Sequence, residues 1–175
     1  MGWITDYVSK MPHPAKSLVV GVSGGIDSAL TSTLASMTGL STIALSMPIS
    51  TNSNNSSLGS AHGKWLEDKF TNTTFMTIDL TSTYMEFNSL LTNSDQGSDL
   101  GFANTKSRLR MVTLYQVAAA QSGIVVGTGN KVEDFGVGFY TKYGDGGVDI
   151  SPIADLMKSE VVSMATTLGV DERIL

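Results

Sequence analysis

The chain has 175 residues, 41% hydrophobic and 15% charged, which is the length of one domain with enough apolar side chains for a real core and excludes a disordered polypeptide. A net charge of −5 argues against a nucleic-acid-binding surface, and no apolar run approaches membrane-spanning length. Cysteine is absent, which excludes disulfides, thiolate metal sites and a cysteine nucleophile within these residues and fits a cytoplasmic enzyme.

Trp3 to Lys10 reads as a short amphipathic helix, with no signal-peptide core, ending at Met11-Pro12-His13-Pro14, where His13 is expected to be solvated. Leu18 to Val22 is an uninterrupted apolar run, as in a strand buried on both faces of a parallel sheet. A glycine turn follows, then a helix over Ala29 to Met37 that Ser28 can cap, ended by Gly39. Thr42 to Met47 is a second strand, stopped by Pro48. The polar stretch 50–60 predicts a mobile loop, and His62 to Phe70 continues as a helix. Thr74 to Leu80 is a third strand, Tyr84 to Leu91 a helix, and 93–98 a loop. Ala103 to Ser122 is the longest helical run, closed by Gly123, and Ile124 to Val126 is a fourth strand. This alternation predicts an α/β fold, a doubly wound parallel sheet flanked by helices. Ligands bind such sheets past the carboxyl ends of the strands, where the turns 21–28 and 127–130 both fall.

The first of these turns, Ser23-Gly24-Gly25-Ile26-Asp27-Ser28, has the chemistry of an anion cradle. Adjacent glycines let the backbone approach a bulky anion, and the following helix aims N–H groups and its dipole at it. It lacks the lysine ending of the Walker loop and the three-glycine dinucleotide spacing. It resembles the pyrophosphate loop of the N-type ATP pyrophosphatases, which cut ATP between the α- and β-phosphates. A carboxylate such as Asp27 is tolerable beside phosphate only with a cation between them, and in so acidic a chain a divalent metal should supply it.

Three further blocks extend the likeness. They are Asn104 to Met111, Gly127-Thr128-Gly129-Asn130-Lys131 with Glu133, and Thr141-Lys142-Tyr143-Gly144-Asp145-Gly146-Gly147. In this order and spacing they resemble the NAD synthetase family over nearly the whole chain. The resemblance implies a Rossmann-like fold of the adenine nucleotide alpha hydrolase type, and ATP-dependent amidation of deamido-NAD to NAD by ammonia through an acyl-adenylate. It implies that Gly21, Val22, Ser23, Gly24, Gly25, Ile26, Asp27 and Ser28 cradle ATP, with Thr128 and Lys158 also touching it. Asp27 and Glu133 then hold Mg²⁺, with Asp134 as a rival to Glu133, because one extra residue separates Glu133 from Gly138. Arg108, Lys142 and Asp149 contact deamido-NAD, and Asp145 and Lys158 carry catalytic roles. A homodimer with deamido-NAD at the subunit interface is also implied, with no nucleic acid or membrane partner.

The residues alone reach part of this. Asn104, Arg108, Met111 and Tyr115 recur at helical spacing on one face, offering donors and a flat ring to a dinucleotide. By themselves they fit a solvated arginine and a core tyrosine better, because single surface charges are usually just solvated. Family members continue for several tens of residues past Leu175, so the chain is expected to be a compact version, one part of a split enzyme, or incomplete. Other readings are a further adenylating enzyme, such as a GMP synthetase domain or a tRNA thiolase, and a nucleotide-binding relic.

Overall fold

Each of the four apolar runs forms a strand, and all four pair in parallel in the order β3-β2-β1-β4. The computed structural model describes residues 1–49 and 53–175, without the side chains of 53–57. The strands are β1 Ser17–Gly21, β2 Ser41–Ser46, β3 Thr73–Thr77 and β4 Gly123–Val126. The helices are α1 Gly2–Ser9, α2 Ile26–Ser36, α3 Ser53–Lys69, α4 Thr81–Asn93, α5 Asp99–Ala120 and α6 Lys158–Leu168. A π-helical turn, Lys131–Val137, follows β4.

Successive side chains of β1 point to opposite faces of the sheet. Leu18 and Val20 pack with Ile4 and Val8 of α1 and Ala35 of α2. Val19, in register with Ile43 and Val125, packs with Ala118 of α5 on the other face. Both faces are therefore covered, and the sheet is the expected doubly wound, Rossmann-like one. Beyond α2 lies α6, whose Val161 and Ala165 share a core cluster with Leu30 and Ile153. The strand order reverses beside β1, which has β2 on one side and β4 on the other. At such a switch point the loops leaving the two strands splay apart and open a crevice. Among the described residues no helix is long and apolar enough to cross a membrane.

The structure differs from the sequence reading in three places. Helix α2 begins at Ile26 with Gly25 as its N-cap, so Ser28 is not the cap. Ser28 lies in the first turn instead, where its hydroxyl donates to the Gly25 carbonyl and accepts from the Ser23 N–H. The loop expected over 50–60 is helical from Ser53 onward, while residues 50–52 lie outside the described ones. Its polar, turn-favouring composition is overridden by packing, since His62, Leu66 and Gly59 of the same helix are buried. The third difference is the π-helical turn itself, over Lys131–Val137, where the sequence predicts no element. Asn130 caps it and Gly138 closes it in a left-handed conformation.

Candidate active site

Gly24 takes a left-handed φ of +87°, which turns the chain from β1 into α2 at a position suited to glycine. The loop's hydroxyls hold its own donors. Ser23 N–H bonds Ser28 Oγ and Gly25 N–H bonds Ser23 Oγ, each at 3.2 Å. These N–H groups are gathered at a helix N-terminus, an arrangement that can take an anion in exchange for the hydroxyls. Asp27 stands in the first turn of α2 with Ile26 buried behind it.

The loop leaving β4 lies opposite. It carries Thr128, Gly129 and Asn130, and then Glu133 and Asp134 on the π-helical turn. With Ser23, Gly25, Asp27 and Ser28 across from them, these residues line a cleft of about 200 Å³ that also takes in Phe139 and Asp145. Lys158, the first residue of α6, reaches in from a third element. Its Nζ donates to Asp27 Oδ2 at 2.5 Å and to Glu133 Oε1 at 3.0 Å. Asn130, fully buried, donates from Nδ2 to Asp27 Oδ1 at 3.0 Å.

This is an acidic cleft short of cations. Burial raises the Asp134 carboxyl, and the charges of Asp145, Glu133 and Asp27 raise it further. Burial pulls Lys158 down, but its hydrogen bonds to Asp27 and Glu133 outweigh that and raise it. Among the described residues no three His, Cys, Asp or Glu side chains are arranged to hold a metal by themselves. The Asp27 and Glu133 pair suits a hard cation that takes one or two protein carboxylates and completes its shell with phosphate oxygens and water.

A second group of predicted residues lines up along α5, against the segment 139–149. Asn104 Oδ1 accepts from Thr141 Oγ1 at 2.8 Å, and Arg108 Nε donates to the Lys142 carbonyl at 3.2 Å. Ser107 and Asp145 are joined twice: Oγ donates to Oδ1 at 2.5 Å and accepts from the Asp145 N–H at 2.8 Å. Tyr115 OH donates to Asp149 Oδ1, while Asp149 Oδ2 accepts from the Val125 N–H at 2.7 Å. Burial and the Asp149 carboxylate push the Tyr115 hydroxyl up to about 12. Asp149 thus ties the segment to the sheet beside the bridge between Val126 and Ile150. Lys142 extends over the Tyr143 ring, 5.0 Å from its centroid.

The family profile described as NAD synthase matches residues 1–175. The chain belongs to this NAD synthase family. It is 40% identical over 161 residues to the NH(3)-dependent NAD(+) synthetase of Mycoplasmopsis pulmonis, covering 91% of this chain and 60% of that protein. It is 39% identical over 164 residues to the enzyme of the same name from Methanosarcina mazei, covering 91% and 62%. The chain thus spans about three fifths of the length of these curated relatives. Among solved structures, NMN synthetase from Francisella tularensis superposes with a TM-score of 0.86 at 36% identity, covering 99% of this chain and 69% of that one. The NH3-dependent NAD synthetase from Campylobacter jejuni, solved with nitrate, gives 0.85 at 31% identity, covering 99% and 72%.

The structure also gives contacts to residues that stand in the motif blocks without a role of their own. Asn130 had a local signal, since Asn130-Lys131-Val132-Glu133 has the spacing of a helix cap with an acid three residues on. Ser107 had none, because its partner Asp145 is 38 positions away. Arg110 had none either. Its Nε donates to the Met47 carbonyl at 3.0 Å, and burial lowers its pKa.

Proposed function

We propose that this chain is a C–N bond-forming ligase that amidates deamido-NAD to NAD with ATP and ammonia, releasing AMP and pyrophosphate. One observation carries the reading: Asp27, Glu133 and Lys158 meet beside the Ser23–Ser28 loop, and Thr128 shares their cleft. A carboxylate and ammonia form no amide until an oxygen becomes a leaving group. In this reading the nicotinate carboxylate attacks the α-phosphorus, pyrophosphate departs, and ammonia then displaces AMP from the acyl-adenylate.

Each residue has a task in that sequence. Loop N–H groups at Ser23 to Ser28 take up charge on the departing pyrophosphate, and Lys158 leaves its carboxylates for phosphate oxygens. Asp27 and Glu133 would hold Mg²⁺, which when bound offsets the repulsion between the two reacting anions. Asn104, Arg108, Tyr115, Lys142 and Asp149 bind the dinucleotide. Asp145, held by Ser107 and the Thr141 N–H, orients or deprotonates ammonium at the cleft wall. These residues include no cysteine nucleophile to release ammonia from glutamine, so the reading takes free ammonia as the nitrogen source.

A homodimer with deamido-NAD at its interface is the assembly we favour, supported by apolar side chains exposed on α4 and α5, among them Leu90, Leu100 and Val112. The demand for ATP and the lack of cysteine support a cytoplasmic location. The likeness to NMN synthetase favours a second acceptor, nicotinate mononucleotide. The test is an assay of pyrophosphate, AMP and amide product from ATP, Mg²⁺ and ammonium with either acceptor, and glutamine replacing ammonium as control. Pyrophosphate and NAD in equal amounts are expected with deamido-NAD. Product from the mononucleotide alone would reassign the substrate, and ATP binding without pyrophosphate would refute the ligase.

A further inference from the structure

We infer that Asn130 is a positioning residue that sets the spacing of Asp27 and Glu133 through a single buried amide. The inference rests on the adenylating function proposed above. Asn130 is 0% exposed, and its side chain works in two directions. Its Oδ1 accepts from the N–H groups of Val132 and Glu133, at 3.0 and 3.1 Å, which caps the π-helical turn and aims Glu133. Its Nδ2 donates to Asp27 Oδ1 at 3.0 Å, across 103 positions of sequence, which orients a carboxylate on a different helix. Its backbone is fastened as well, by the Asp134 N–H on its carbonyl and by the next residue's N–H on the Leu156 carbonyl.

The side chain's chemistry fits both jobs at once. Serine at this position would cap the turn but is too short to reach Asp27. Aspartate would also cap, yet it would place a further carboxylate against Asp27 in a cleft already crowded with them. Only a side chain with an acceptor at one corner and a donor at the other joins the two loops that flank the switch point. A buried amide bonded to a carboxylate fixes that carboxylate's orientation, as outer partners do for metal-binding groups. Their loss costs roughly ten- to a hundredfold in affinity.

The variants Asn130→Ser and Asn130→Asp separate capping from orientation, since both keep the cap and both lose the donor. Calorimetry of Mg-ATP binding, without the nicotinate substrate, is compared with ATP binding at increasing Mg²⁺ and with thermal melting. Both variants are expected to remain folded, with Asn130→Asp melting lower because of its added carboxylate, to bind Mg-ATP roughly ten- to a hundredfold more weakly, and to need more Mg²⁺ for half-saturation. Wild-type affinity and Mg²⁺ dependence in both variants would overturn the inference alone. Loss of folding in both, or lowered stability with unchanged binding, would make Asn130 a structural residue and also overturn it. A wild-type chain that binds no Mg-ATP would overturn the function and this inference together.

Discussion

Asp27 spends both carboxylate oxygens on partners, Oδ1 on Asn130 and Oδ2 on Lys158. Replacing it by asparagine keeps the size but turns an N–H group or a neutral oxygen toward the Lys158 ammonium. Asp27→Asn should reduce pyrophosphate release by more than about a hundredfold, the upper end of losses for groups that only support a metal's ligands. Its circular dichroism should stay unchanged, because the pair is partly solvated and adds little to stability. Wild-type turnover with the same Mg²⁺ dependence would remove Asp27 from the site.

His62 shows a different residue-scale effect. It is buried between α2 and α3, stacked on Trp65, with Nε2 at 3.1 Å from Ser32 Oγ. Ser32 Oγ also lies 2.7 Å from the Ser28 carbonyl, to which it donates. Burial lowers the His62 pKa to about 4, against the smaller upward pulls of the Ala29 backbone and Asp171. The unfolded chain therefore takes up this proton first, near pH 6.5, and the folded chain only near pH 4. Stability from this group is full above pH 6.5 and is lost as pH falls to about 4, by up to about 3 kcal/mol. Asp171 stays ionised throughout, since the Arg173 hydrogen bonds hold it down to about 2. Melting temperatures from pH 7 to 4 should fall less steeply in His62→Gln, which keeps a donor without the titration. Equal slopes would show that other groups dominate.

At the scale of elements, α3 is what braces the Ser23–Ser28 loop. A Cβ on Gly59 would come within 3.1 Å of the Gly24 nitrogen and 3.2 Å of the Ser23 carbonyl carbon. These are backbone atoms of the loop, so the loop has to yield. Gly59→Ala is expected to weaken Mg-ATP binding about tenfold, near 1.4 kcal/mol, while the sheet stays folded. Calorimetry beside circular dichroism checks it, and unchanged affinity would mean that the loop shifts freely. The same contact accounts for a helix in a stretch whose local chemistry favours turns. The burial of Gly59, His62 and Leu66 rewards the helix, and a window of ten residues cannot register that reward.

At the scale of the molecule, the exposed apolar side chains of α4 and α5 bear on assembly. Leu100 is 74% and Val112 58% exposed, and they continue the row of Asn104 and Arg108 one turn to either side on α5. A dimer would run near twice 18.5 kDa in sedimentation analysis. Leu100→Glu with Val112→Glu is expected to shift it to monomer, because burying unpaired carboxylates in an interface is costly. A monomeric wild-type chain would leave these faces outside the assembly.

The alternation of apolar runs and glycine turns was enough, by itself, to determine the doubly wound sheet, its strands to within a few residues, and the two loops at their carboxyl ends. Those signals are local: period, propensity and turn chemistry act within a few positions. The motifs at 23–28, 127–133 and 141–147 were sufficient for family membership. Tertiary structure alone decided which residues meet. Lys158 with Asp27 and Glu133, Asn130 with Asp27, Ser107 with Asp145 and Gly59 with the Ser23–Ser28 loop are contacts across 25 to 131 positions. It also decided where helices start, at Ile26 and Ser53, and that a π-helical turn follows β4. The reason is physical. A hydrogen bond or a close backbone approach between distant segments leaves no periodic trace in either segment, and it exists only once the sheet has brought their loops to one rim.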